Sequence, residues 1–143
     1  MTDTLTGFLY CVFDSLDAEG EDRSGGHVYL RNRAEARYIE ELLAPLYYTH
    51  RVGISTSDDS VIAGSALVAL GVAVHRAIES VEAQPESWPV VIGHRFEPYQ
   101  TDLGPAIVQY AYRSALLEFL REVSIRIERA SQAHGFLHWA GGE

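Results

Sequence analysis

Six histidines, a single cysteine and several paired acids are the residues of this chain with chemistry to offer. His134 and His138 stand four apart, the spacing that puts two imidazoles on one helix face for a metal ion. Gly135 falls between them and reads as a helix stop, and no third or fourth ligand follows at the spacing a zinc site requires. His50 and His94 lie on two expected strands. Facing each other across a sheet, with a tyrosine alongside, they would line a pocket for acid–base work or a small ligand. His27 and His75 have no partner in the sequence. Asp58 and Asp59 follow Ser55-Thr56-Ser57 and read as a capped helix start, the acids complementing the helix dipole rather than holding a cation. Cys11 sits in the apolar run Phe8-Leu9-Tyr10-Cys11-Val12-Phe13 with negative charge nearby, which predicts a buried, unreactive thiol. No G-x-S-x-G, P-loop or G-x-G-x-x-G occurs. The sequence assigns no catalytic residue, no metal ligand and no cofactor, and it leans away from an enzyme.

Charge is more informative. The 143 residues carry 20 acids against 11 bases, all of the bases arginine, for a net charge of -9. Residues 1–22 hold six acids and no base, while residues 58–102 hold seven acids against Arg76 and Arg95. Such a balance repels nucleic acid and anionic membrane and attracts a basic protein surface. The acidic segment 14–26 supplies the candidate docking residues Asp14, Asp17, Glu19, Glu21 and Asp22. Aromatic anchors beside turns, Tyr47, Tyr48, Trp88 and Tyr99, complete that set; Tyr110 and Tyr112 add to an aromatic count beyond what one core needs. The absence of lysine reads either as coding bias, alongside 16 alanines, or as selection against a modifiable amine. Met1-Thr2-Asp3-Thr4 lacks the basic start of a signal peptide, so a cytoplasmic protein is expected.

The elements that must position these residues follow from periodicity. Phe8–Phe13 and His27–Leu30 read as strands able to pair. Asn32 predicts a helix N-cap, with Glu35 reaching back to its backbone N–H in a capping box. The apolar stripe Ala36, Ile39, Leu42, Leu43 and Leu46 continues that helix until Pro45 distorts or ends it. His50–Ser55 alternates like a strand, with Val52 and Ile54 on one face. From Ser60 through Val74 there is no charge, which predicts a nearly apolar, central helix over about 58–83. That stretch is short and rich in small residues for a membrane span. Val90–Phe96 reads as a strand with Val90, Ile92, His94 and Phe96 on one face. A long helix is expected over about 105–132, with the stripe Val108, Tyr112, Leu116, Phe119, Leu120, Val123, Ile127 and Ala130, and Phe136–Trp139 closes as a strand.

These pieces predict one domain over 1–143, of α+β class: a mixed, mainly antiparallel sheet of about four to five short strands packed with three helices. In size, charge and lack of a catalytic motif the chain is similar to the immunity proteins that neutralise bacterial toxins. That resemblance implies a small acidic cytoplasmic inhibitor that binds a basic partner, with no nucleic-acid or membrane partner. Two other readings stand beside it. One is a small enzyme or ligand-binding domain built on His50, His94 and a tyrosine. The other is a structural subunit of a homodimer or larger homo-oligomer, joined through the apolar helix or the last one.

Overall fold

The computed structural model describes residues 9–14, 28–56, 59–95 and 104–142. In chain order the elements are β1 (Tyr10–Asp14), β2 (Val28–Leu30), α1 (Arg33–Leu43), α2 (Pro45–His50), β3 (Asp59–Ala63) and α3 (Gly64–Glu82). They continue with β4 (Ser87–His94), β5 (Ala106–Tyr112), α4 (Arg113–Gln132) and β6 (Phe136–Gly141). The class is α+β as expected, but the strands form two antiparallel sheets: four strands in the order β2-β1-β6-β3, and a separate β4–β5 hairpin.

Strand alternation sorts the four-stranded sheet into two faces. Tyr10 and Val12 of β1 lie opposite Gly141 and Trp139 of β6, and Ile62 of β3 lies opposite Leu137. This face meets α3 and α4, and its Tyr10, Val12, Ile62, Leu137 and Trp139 are sealed. The opposite face carries Cys11, Phe13, Tyr29 and Ala140, a smaller cluster, and it holds the thiol buried as predicted. α3 buries Leu67, Leu70, Val74, Ala77 and Val81, and α4 buries Leu116, Phe119, Leu120, Val123, Ile127 and Ala130. The two helices pack on each other, with the Arg121–Glu82 ion pair at 3.1 Å bridging their outer rims. α1 lies between α3 and the hairpin.

Both long helices start later than the sequence suggests. Asp59–Ala63 is a strand, and α3 turns directly out of it at Gly64, whose φ of 61° suits a residue without Cβ. Asp59 is therefore a strand residue opposite Ala140, not a helix cap, and Asp58 lies outside the described residues. In the same way Ala106–Tyr112 is β5, and α4 begins at Arg113, so Val108 and Tyr112 leave the helical stripe. Nor is α3 central on all sides: Val68 is 63% exposed and Val72 48%. Pro45 does not end helical structure; it occupies the first turn of α2, where its missing N–H costs nothing. His50 closes α2, and residues 51–55 form no strand, although Val52 and Ile54 are both buried as their alternation suggests. Gly135 follows the helix stop rather than making it. His134 takes the left-handed position (φ 53°), while the bonds Gly135 N–H to Ala130 O and His134 N–H to Ser131 O close a Schellman motif.

Candidate functional site

A groove of about 650 Å³ with charged side chains in its lining lies between β2 and α4. One wall is five successive residues, Val28 through Asn32. The other is a single helical face, Ala115, Glu118, Phe119, Glu122 and Arg126, and Glu35 of α1 also lines the groove. Glu35 is only 3% exposed. Its carboxylate does not reach back to Asn32 as a capping box requires. Asn32 does cap α1 as expected, its Oδ1 accepting the Glu35 N–H at 3.0 Å, while Glu35 Oε2 turns to accept the N–H of Tyr112 at 2.9 Å. Burial pushes the Glu35 carboxyl above its ordinary range, and the Tyr112 N–H pulls it partly back. Burial likewise lowers the Arg126 guanidinium, against the pull of nearby Asp14.

Asn32 and Glu35 have a second effect, on the hairpin. In β4–β5, Arg113 N–H bonds Glu86 O at 2.9 Å, which makes 86 and 113 a hydrogen-bonded pair. By antiparallel alternation Trp88–Ala111 is another, while Pro89–Tyr110 and Ser87–Tyr112 point their backbone groups away from each other. Pro89 therefore removes no ladder bond. The outward groups of β5 are instead met by side chains: Asn32 Nδ2 donates to Tyr110 O at 3.2 Å, beside the Glu35–Tyr112 bond. Trp88, Val90 and Ala111 face inward, with Trp88 edge-on to Tyr38 at 5.1 Å. Pro89, Val91, Val108, Tyr110 and Tyr112 face outward and are exposed. A bulge between Val91 and Gly93 breaks the alternation expected for Val90, Ile92 and His94.

The sequence-derived sites are only partly brought together. His50 ends α2 and shares a 3.0 Å hydrogen bond with Thr49 Oγ1; His94 ends β4 and bonds Gly104 O at 3.1 Å. They do not face each other across a sheet, because the strand expected at His50 is helix, and neither lines the β2–α4 groove. His134 sits in the turn after α4, and His138 on β6 stacks against Phe13 at 4.7 Å and lies 3.9 Å from Asp59. Asp14 is not a surface acid: it ends β1 with its side chain fully buried, paired to Arg129 at 3.4 Å. Tyr47 and Tyr48 are exposed on α2, edge-on at 5.4 Å, whereas Trp88 is half-buried under the hairpin. Asp17, Glu19, Glu21, Asp22 and Tyr99 lie outside the described residues. Sequence reasoning missed Glu35 as a buried carboxylate and the outward face of β5. The capping-box spacing hid the first, and a helix assignment hid the second.

No family model, curated protein or solved structure matches this chain. Among the described residues one helix, α3, is long and apolar enough to cross a membrane by length and composition. It packs one face against α4 and carries His75, Arg76, Glu79 and Glu82 toward its end.

Proposed function

We propose that this protein is an acidic, cytoplasmic binding module of the inhibitor or immunity type, which neutralises a basic protein partner such as a bacterial toxin. The observation that carries this reading is the outward face of β4–β5, where Val91, Val108, Tyr110 and Tyr112 are each about half exposed. Apolar side chains gathered on one exposed face mark interaction surfaces, and tyrosine anchors such surfaces well. The net charge of -9 selects a cationic partner and speeds its approach. The test is a tagged copy incubated with extract of the native organism and washed at rising salt. One basic protein should be retained, released by salt, and inactive while bound. Replacing Asp17, Glu19, Glu21 and Asp22 with Ser should slow association and flatten its salt dependence. A blank capture, or a partner held regardless of salt, removes the reading.

A second reading has its own observation. Val68 and Val72 face outward on α3 beside an apolar groove of about 410 Å³ between α2 and α3, lined by Leu42, Pro45, Leu46, Ala69 and Ala73. This favours a homo-oligomer joined through α3. Sedimentation equilibrium checks it: the mass of one chain at all concentrations ends that reading.

A further inference from the structure

We propose that the apolar groove between α2 and α3 binds a medium-chain fatty acid, its tail along Leu46, Ala69 and Ala73 and its carboxylate on Arg76. The groove encloses about 410 Å³, within the ~300–1,000 Å³ of pockets that take small molecules. Short side chains keep it open. α1 stops at Leu43 and Pro45 restarts the chain as α2, so Leu42 and Leu46, on either side of the break, share one wall. Opposite them α3 presents Ala69, Ala73 and Ala77 at i,i+4 spacing, and none of the three reaches across.

Charge chooses the occupant. The α3 wall runs from Ala69 to Ser80, about 16 Å along the helix axis. Ala69, Val72 and Ala73 occupy its first half, Arg76 and Ser80 its last turn, so the groove is apolar at one end and polar at the other. Among the described residues Arg76 is the one charge in the lining, and no carboxylate faces it there. It makes no ion pair or ring contact among them either, with Glu79 of its own helix included. In a chain with 20 acids against 11 bases that stands out, since Arg37 and Arg121 each meet a glutamate and Arg129 meets Asp14. The Thr49 hydroxyl is given to Pro45 O at 3.3 Å, whereas the Ser80 hydroxyl makes no such bond among the described residues and can donate. One guanidinium and one hydroxyl suit a single carboxylate. A second copy docking through Val68 and Val72 would bring valines to this wall and leave the Arg76 charge without a counter-ion. A fatty acid covers the apolar wall and pairs the charge together.

The test titrates the full, isotope-labelled chain with octanoate, decanoate and decyltrimethylammonium, each kept below its micelle concentration. Decanoate should shift the amides of Leu46, Ala69, Ala73, Arg76 and Ser80. Calorimetry should show it binding up to about 10-fold tighter than octanoate, for its two extra methylenes. Arg76→Gln should weaken decanoate at least ~10-fold. Ala73→Leu, which fills the groove, should abolish binding, and circular dichroism checks that each variant is folded. Arg76 is exposed, so its replacement decides the matter even where the filled groove does not fold. No binding of decanoate, equal binding of the cationic amphiphile, shifts confined to other residues, or an affinity unchanged by Arg76→Gln each overturn the proposal. So does a dimer in sedimentation that takes up no decanoate, because a second copy then covers the groove. Capture of a basic partner is a separate result and stands or falls without this one.

Discussion

In the four-stranded sheet the middle strands are sealed from both sides, whereas the β4–β5 hairpin is sealed from one. All five residues of β1 are buried, and β6 beside it buries Leu137, Trp139 and Ala140. The hairpin buries Ala111 and half-buries Trp88 and Val90 against α1, then leaves its other face and much of its edge to solvent. A two-stranded ribbon is marginal alone. Here it is held by one packed face, by Arg113 reaching Gln84 O at 2.8 Å, and by the side chains of Asn32 and Glu35 on its edge. The difference divides the labour: the sheet supplies stability, and the hairpin supplies surface.

The largest effect should come from the sheet. Trp139 is 1% exposed and stands edge-on to Tyr10 at 5.6 Å and Phe119 at 5.9 Å. Trp139→Ala should cost about 3–5 kcal/mol in urea unfolding. Trp139→Phe should cost much less, because it also removes an indole N–H buried without an acceptor. Gly141→Ala comes next. A Cβ there would stand 2.5 Å from Ser55 O, in a segment already fixed by the Thr56 N–H bond to Glu40. The clash is with backbone, and a loss of about 1–3 kcal/mol is expected. A neutral result at either position would mean that the sheet is not the stabilising half.

The join between the two regions comes third. Glu35→Ala strands the Tyr112 N–H and should cost about 1–3 kcal/mol at any pH. Glu35→Gln keeps an acceptor and drops the charge. The folded state raises the Glu35 pKa above its ordinary 4.5, so the native chain holds that proton more tightly than the unfolded one. Ionising Glu35 therefore costs stability. The cost is absent below the ordinary value and complete once pH passes the raised one. Glu35→Gln should match the wild type in acid and overtake it as pH rises through that window. Parallel stability curves would show that the carboxyl is solvated and that the hairpin edge is held some other way.

How much of this was legible follows from what each residue type can signal. The α+β class, the cores of α1, α3 and α4, and strands β1, β2, β4 and β6 all follow from periodicity and turn residues. The two missed strands, β3 and β5, share one cause. Ser60-Val61-Ile62-Ala63 and Ile107-Val108-Gln109-Tyr110 each run into a helix without a turn, and short apolar runs fit either period. Their β-branched content was the available signal. Pro45 was ambiguous because a helix stop and a first helical turn use the same residue. The groove was illegible for a different reason. Glu35, Glu118 and Tyr29 come from three separated stretches, and only the packing of α1, α4 and the sheet brings them together. Asp14 reads like its acidic neighbours, and nothing local marks that Arg129 lies above it.

The smallest expected effect bears hardest on the comparison. Val108→Thr and Tyr110→Thr keep residues suited to a strand while removing apolar surface from the outward face of the hairpin. If that face touches only water, each should change stability by less than about 0.5 kcal/mol. Both should weaken capture of the partner, since the same atoms would be buried only in the complex. A loss well above about 1 kcal/mol would mean that the face is already covered in solution, as an exposed surface position cannot return that much. The hairpin would then be stabilising in the same sense as the sheet, and the interaction surface would have to be sought elsewhere on the molecule.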